Sequence, residues 1–223
     1  MFLQEEIIAD KRPTMAVIAP GNEFVLKYFD REFDCRLVFD PDGADVTNIA
    51  VVVLSCLDKT EIQAEKEFRE KCMARNIPTV TLRVPFIIGT GMGEEMMRLA
   101  RGVARGTLMT IKENEARISL IHASDIPKVA KTVAGAGPAD FTVAASPVLI
   151  NDLISGLGHR IKNKRVGSIS RKWARLLYGK DFFTFLTTDH IIDTTTFNST
   201  FPDFRFADPA EYLKTHNYDH DSL

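Results

Sequence analysis

The stretch TLRVPFIIGTGMG (81–93) is extended and apolar as far as Ile88, then enters a loop with glycine at 89, 91 and 93. Glycine lets a backbone pass close to a ligand without a Cβ clash, so the loop suits the ligand edge of a sheet. A plain turn between strand and helix also fits these residues taken alone. Upstream, TMAVIAP (14–20) and CRLVFDP (35–41) are short β-rich runs closed by proline, and NEFVLKYFDREF (22–33) between them has helical apolar spacing. IAVVVLSC (49–56) is almost unbroken in its apolar character, which suits a strand covered on both faces. DKTEIQAEKEFREKCMARN (58–76) predicts a helix with Asp58 or Thr60 as cap, acids in its first turns and basic residues before Asn76. IPTVTLRVPFIIG (77–89) then returns as strand. Strand, helix, strand, helix, strand predicts an α/β domain built on a parallel sheet.

After Gly93 the pattern changes. EEMMRLARGVARG (94–106) predicts a helix ended by glycine, RISLIHAS (117–124) a strand, and DIPKVAKTVAG (125–135) a helix with Asp125 as N-cap and proline in its first turn. PADFTVAA (138–145) adds a strand and VLINDLISGLG (148–158) a helix. Residues 159–180 carry eight Lys/Arg and no acid, while 181–223 carry eight acids against two Lys/Arg. This asymmetry predicts a subdomain with a basic face and an acidic tail.

Composition narrows the function classes. With 223 residues the chain can bury a core without disulfides or metals. A formal net charge of -2 gives no argument for nucleic acid or an anionic membrane as partner. Cys35, Cys56 and Cys72 lack CxxC spacing and read as reduced thiols. No signal-peptide pattern and no apolar run of roughly 18–20 residues occurs, so the expectation is a cytoplasmic protein.

Taken in order, these segments resemble the extended short-chain dehydrogenase/reductase superfamily, specifically the C-terminal half of its NAD-dependent epimerase/dehydratase group. TLRVPFIIGTGMG is similar to that family's Leu-Arg-Pro strand and glycine loop, and ISLIHASDIPKVA to its His-Val-x-Asp segment, with Asp125 on the motif aspartate. FTVAASPVLINDLISGLGHRIK resembles the following strand and helix, and LTTDHIIDTTTFNSTFPDFRFADPAEYLK the closing element. The likeness spans roughly residues 77–215. It implies a shortened Rossmann-like parallel sheet flanked by helices, with a small C-terminal α/β substrate-type subdomain. The expected division is a reduced Rossmann half over 1–93, with the remaining Rossmann elements and the subdomain over 94–223. The resemblance also implies NAD or NADP as cofactor and a nucleotide-sugar as ligand, in a homo- or hetero-oligomer.

On that resemblance Gly21, Asp40, Ser55 and Pro85 fall on the cofactor side, and Gly89 and Gly91 on the substrate side. The basic run 159–180 reads as a solvated helix face or as a surface that meets a sugar-nucleotide diphosphate. On the second reading Arg165 and Arg171 join the substrate side, because guanidinium binds phosphate in bidentate fashion. The N-terminal half departs from the family. Its glycine-rich pyrophosphate turn is reduced to VIAPGNEFVLKYF, where Gly21 is followed by Asn22, Glu23 and Phe24. A glutamate there repels an anion, and a phenylalanine crowds it. Asp40, 19 residues after Gly21, suits a ribose ligand or a turn residue in DPDG.

The family's chemistry uses a tyrosine and a lysine four residues apart on one helix face. There the lysine lowers the phenol pKa for proton exchange while NAD(P) exchanges the hydride. Aligning QAEKEF with the family's Ala-Glu segment puts Leu57 and Glu61 at those positions. None of the four tyrosines, Tyr28, Tyr178, Tyr212 and Tyr218, has a lysine four residues on. Ser55 lies too near Leu57 to match the catalytic serine or threonine, and the run from Val51 to the strand at 77 is too short for the usual two strands and a helix.

Three further constellations are weaker. HNYDH (216–220) could ligate a metal if helical, or be a solvated tail. His122 reads as a hydrogen-bonded strand residue, and Cys56 as an inert thiol. The sequence therefore predicts either a nucleotide-sugar or partner-binding protein of glycan synthesis without Tyr/Lys redox chemistry, or an active epimerase, dehydratase or reductase with an unconventional site.

Overall fold

The computed structural model describes residues 14–19, 23–29, 34–37, 49–55, 61–89, 92–134, 139–162, 165–209, 211 and 213. Along the chain run β1 (Thr14–Ile18), a 3-10 turn (Glu23–Val25) continuing into α1 (Leu26–Phe29), β2 (Asp34–Leu37), β3 (Ile49–Ser55) and α2 (Glu61–Ala74). Next come β4 (Thr79–Val84), β5 (Phe86–Ile88), α3 (Glu94–Arg105), β6 (Thr110–Ile111), β7 (Arg117–Ile118), β8 (Leu120–His122) and α4 (Asp125–Val133). The chain continues through β9 (Ala139–Thr142), β10 (Val148–Leu149), α5 (Ile150–Lys162), β11 (Ser168–Ile169), α6 (Arg171–Tyr178), α7 (Lys180–Thr187) and α8 (Thr195–Thr200).

Five strands form one parallel sheet in the order β2-β1-β3-β4-β9. This is the shortened Rossmann-like sheet the sequence leads one to expect. Its centre is apolar on both faces: Val51 and Val52, adjacent on β3 and pointing opposite ways, are both fully buried. On β4 the alternation assigns the two faces. Val80, Leu82 and Val84 join Phe29 of α1 and Ile126, Val129 and Val133 of α4 in one apolar cluster. Thr81 and Arg83 point the other way, toward α2.

Two runs read as single strands are each broken. Proline has no N–H to give a ladder, and at Pro85 the chain leaves the main sheet. Beyond it β5 pairs with β8 instead, Ile88 opposite His122. The run from 117 to 122 divides at Ser119, whose N–H donates to the His190 carbonyl and whose Oγ accepts from the Ile192 N–H. β7 then pairs antiparallel with β10 and β8 parallel with β5.

Asp125 does not cap α4. Ser124 holds the N-cap position, and the fully buried Asp125 carboxylate accepts from Lys128 Nζ at 2.8 Å and from the Ala207 N–H at 2.7 Å. A second apolar cluster joins α3, α5, β6 and β7 through Met96, Leu99, Ile111, Ile118, Ile154 and Leu157. α3 ends as its sequence predicts, with Gly106 in the left-handed region at φ 72°.

Candidate functional site

The strand order reverses at β1: β2 lies on one side and β3 on the other. In open α/β sheets ligands bind outside the carboxyl ends of the strands at such a switch. Ser55 is the last residue of β3, with its Cα in register with Val84 of β4. Pro85 follows and is buried. Gly21, Asp40 and Gly91 lie outside the described residues, as do Cys56, Leu57 and 216–220.

β4 is fixed from behind by charge. Arg83 Nη2 donates to both oxygens of Glu65 at 2.9 Å, and Thr81 Oγ1 donates to the same carboxylate at 3.2 Å. Arg69, one turn further along α2, reaches Glu65 at 3.3 Å and both oxygens of Asp140 on β9 at 2.9 Å. Burial works against the Arg69 charge, but the bonds and charges of Asp140 and Glu65 outweigh it and raise its pKa. One helix glutamate thus ties α2, β4 and β9 together. Glu65 and Arg83, which the sequence reading does not connect, are in contact.

Beyond the carboxyl end of β4 the chain turns at Gly89, buried and at φ +139°, a conformation that side chains rarely adopt. A Cβ there would stand 3.0 Å from the Tyr28 hydroxyl and 3.1 Å from the Ala123 Cβ. The close approach that glycine permits is therefore made by protein groups. Tyr28 comes from α1, the helix after the first strand, and meets the His122 ring edge-on with centroids 6.1 Å apart. His122 Nδ1 lies 2.6 Å from Ser124 Oγ. The Lys27 ammonium is 5.2 Å from the Tyr28 ring centroid, and burial lowers its pKa. Tyr28, His122 and Ser124 thus place three groups with exchangeable protons side by side at the mouth of the glycine loop. The space beside the Gly89 Cα is taken up by Tyr28 and Ala123.

The two arginines singled out in the sequence are elsewhere. Arg165 is exposed ahead of β11, and Arg171 is exposed at the start of α6, its guanidinium 5.8 Å from the Phe183 ring centroid. Two larger clefts open on this half of the molecule. One, of about 590 Å3, runs between β10 and α5 and is lined by Arg117, Asp152, His159 and apolar side chains. The other, of about 430 Å3, lies between α3 and α6 and is lined by Glu94, Arg98, Arg101, Arg105, Tyr178 and Phe182 among others. Among the described residues no His/Cys/Asp/Glu cluster could hold a metal ion.

Glu65, Tyr28 and Ser124 escaped the sequence reading as site residues. Only Glu65 had a local signal, an acid within QAEKEF on the side of the helix that carries Phe68 and Cys72 inward.

The chain matches no known sequence family, and no curated protein matches it by sequence. Solved structures do match. UDP-N-acetylglucosamine 4-epimerase from Bacillus cereus superposes with a TM-score of 0.60 at 10% identity, over 90% of this chain and 98% of that one. Human epimerase family protein SDR39U1 (isoform 2), solved with NADPH, gives 0.58 at 11% identity, over 90% and 98%. WbmH from Bordetella bronchiseptica, solved with NAD+, gives 0.51 at 9% identity, over 75% of this chain and 60% of that one. The chain thus has the fold of the NAD-dependent epimerase and short-chain dehydrogenase structures. It spans three-fifths of the WbmH chain.

Proposed function

We propose that this chain binds a nucleotide-sugar on an epimerase-type frame and does not carry out Tyr/Lys-assisted hydride exchange. One observation carries this reading. β3 is hydrogen-bonded to β1 on one side and to β4 on the other, and the helix between β3 and β4 is α2. That helix opens on Glu61 and contains no tyrosine, so the Tyr/Lys pair has no counterpart on it. The carboxylate of Glu65 one turn on is engaged with Arg83 and serves packing. The filling of the space beside Gly89 by Tyr28 and Ala123 adds support, since the loop keeps no room there for a ligand. The nucleotide-sugar half of the reading rests on the substrate named for a protein with this fold, the UDP-N-acetylglucosamine 4-epimerase of Bacillus cereus. A protein partner in glycan synthesis is the alternative occupant of the same frame.

The juxtaposition of Tyr28, His122 and Ser124 favours a second reading, an active NAD(P)-dependent enzyme with an unconventional acid/base. Ligand-observed saturation-transfer NMR with UDP-, GDP- and dTDP-sugars, paired with absorbance of reduced nicotinamide, separates the two. The expected result is saturation transfer to a sugar nucleotide with no reduction of NAD+ and no consumption of NADPH. Turnover of either dinucleotide would sink the first reading in favour of the second. Silence toward every sugar nucleotide would leave the partner-binding alternative.

A further inference from the structure

Helix α6 gathers three of the large apolar side chains that the described residues leave in water. Trp173, Leu176 and Leu177 are 61, 72 and 59% exposed, whereas Met73 and Ile191 stand singly on other segments. The spacing i, i+3, i+4 puts the three on one helix face. The helix is not a loose end. Ala174 is fully buried, Tyr178 Oη accepts the Met109 N–H at 2.9 Å, and the preceding β11 pairs with β6. The fold therefore presents this apolar stripe in a fixed position.

Basic residues flank it. Lys172 and Arg175 are exposed on α6 itself. Across the cleft that Leu177 helps to line stand Arg101 and Arg105 of α3, which make no ion pair among the described residues. Arg98 lies 4.0 Å from the Phe182 ring centroid and keeps its charge on the same side. The acids nearby are Glu94 in the cleft and Glu95 and Asp181 beyond Arg98. The formal net charge of -2 conceals this face, because eight acids lie in residues 181–223.

An apolar stripe held in water inside a basic surround calls for an occupant. A second copy of the chain fits poorly: a two-fold contact sets the same patch against itself, arginines facing arginines. A folded protein partner fits poorly as well, since three side chains supply little of the roughly 800 Å2 that each side of a standard interface buries. We propose that this face is a peripheral contact for an anionic phospholipid surface. Trp173, Leu176 and Leu177 enter the boundary between headgroups and acyl chains, where tryptophan is favoured. Arg101, Arg105, Lys172 and Arg175 meet lipid phosphates. Stable attachment to a bilayer takes two signals, and here an apolar stripe and a basic patch are side by side. No described helix is long and apolar enough to cross a membrane, so the contact lies on the surface.

Trp173 is the sole tryptophan of the chain, so its fluorescence reports this face alone. The full chain is mixed with vesicles of phosphatidylcholine and with vesicles that also carry phosphatidylglycerol, and both emission and co-sedimentation are read. The expected result is a blue shift and co-sedimentation with the anionic vesicles only, weakened by salt. Arg101→Gln/Arg105→Gln should lower partitioning about tenfold or more, and Leu176→Ser/Leu177→Ser should abolish the blue shift, with the far-ultraviolet circular dichroism of both variants unchanged. Equal binding to neutral vesicles overturns the proposal, as does a shift that survives Leu176→Ser/Leu177→Ser. A shift produced by an acidic polypeptide and not by anionic vesicles overturns it in favour of a protein partner. A shift that grows with protein concentration alone overturns it in favour of self-association.

Discussion

Around Gly89 the polar and aromatic groups are spent on one another, whereas along α3 and α6 they face water. At the glycine loop Tyr28 fills the space beside the backbone, His122 leans on Tyr28 and Ser124, and Arg83 is held by Glu65. On the α3–α6 side Arg101, Arg105, Lys172 and Arg175 make no ion pairs among the described residues, and Trp173 and Leu176 are mostly exposed. The difference separates inherited shape from available chemistry. A glycine loop at the carboxyl edge of a sheet can be filled by the protein's own side chains, while exposed apolar and basic groups gather on a face that the sequence does not mark.

Breaking the glycine-loop side should be costly. Glu65→Ala removes a side chain only 5% exposed and leaves Arg83 with only the longer 4.0 Å contact to Asp140, so we expect a loss of about 3 kcal/mol, read from denaturant unfolding. A loss within experimental error would mean that the ion pair does not brace the strand. Gly89→Ala should cost about 2 kcal/mol, because the φ of +139° and the crowded Cβ position both resist a methyl group. Tyr28→Phe in that background should return part of the loss by removing the nearest oxygen, whereas no recovery would assign the cost to backbone strain alone.

Smaller effects sharpen the same contrast. Burial raises the Cys72 thiol pKa against the opposing Thr79 hydrogen bond and Arg75 charge, and burial raises the Tyr178 hydroxyl against its bond to Met109. For both groups the folded value stands above the unfolded one, so the unfolded chain ionises first. Stability is then full below the unfolded thiol and phenol values and declines as pH rises through them toward the folded values. Thermal unfolding across the alkaline range should show this decline, and Cys72→Ala should flatten its thiol part. On the other face, Arg101→Ala and Lys172→Ala should each leave stability within about 0.5 kcal/mol of the parent, since nothing in the fold leans on their charge. A larger loss would place those residues in the scaffold and erase the contrast.

The sheet was legible in the sequence for a physical reason: apolar runs closed by Pro or Gly, such as IAVVVLSC, report burial on both faces without any partner being known. α3 was legible too, because a helix with acids at its start, Arg105 at its end and Gly106 after it carries its own boundaries. What escaped depends on residues far apart. The break at Ser119 is set by His190 and Ile192, and the role of Asp125 by Ala207. No local pattern announces either. The candidate site was legible only as a loop. Gly89 gave the turn, but that Tyr28 from α1 would occupy the space beside it follows from the packing of α1 on α4. Arg165 and Arg171 were singled out for phosphate from the basic run, and the α3 arginines that line the cleft beside α6 became visible only once the chain was folded.

The most direct test of the closed glycine loop is calorimetric titration of the protein with NAD+ and NADPH. The account predicts no heat of binding from either, because Tyr28 and Ala123 fill the space beside the Gly89 backbone and Glu23 and Phe24 follow the single glycine of the first turn. Tight binding of either dinucleotide would contradict it and turn Tyr28, His122 and Ser124 into candidates for the acid/base of an active enzyme.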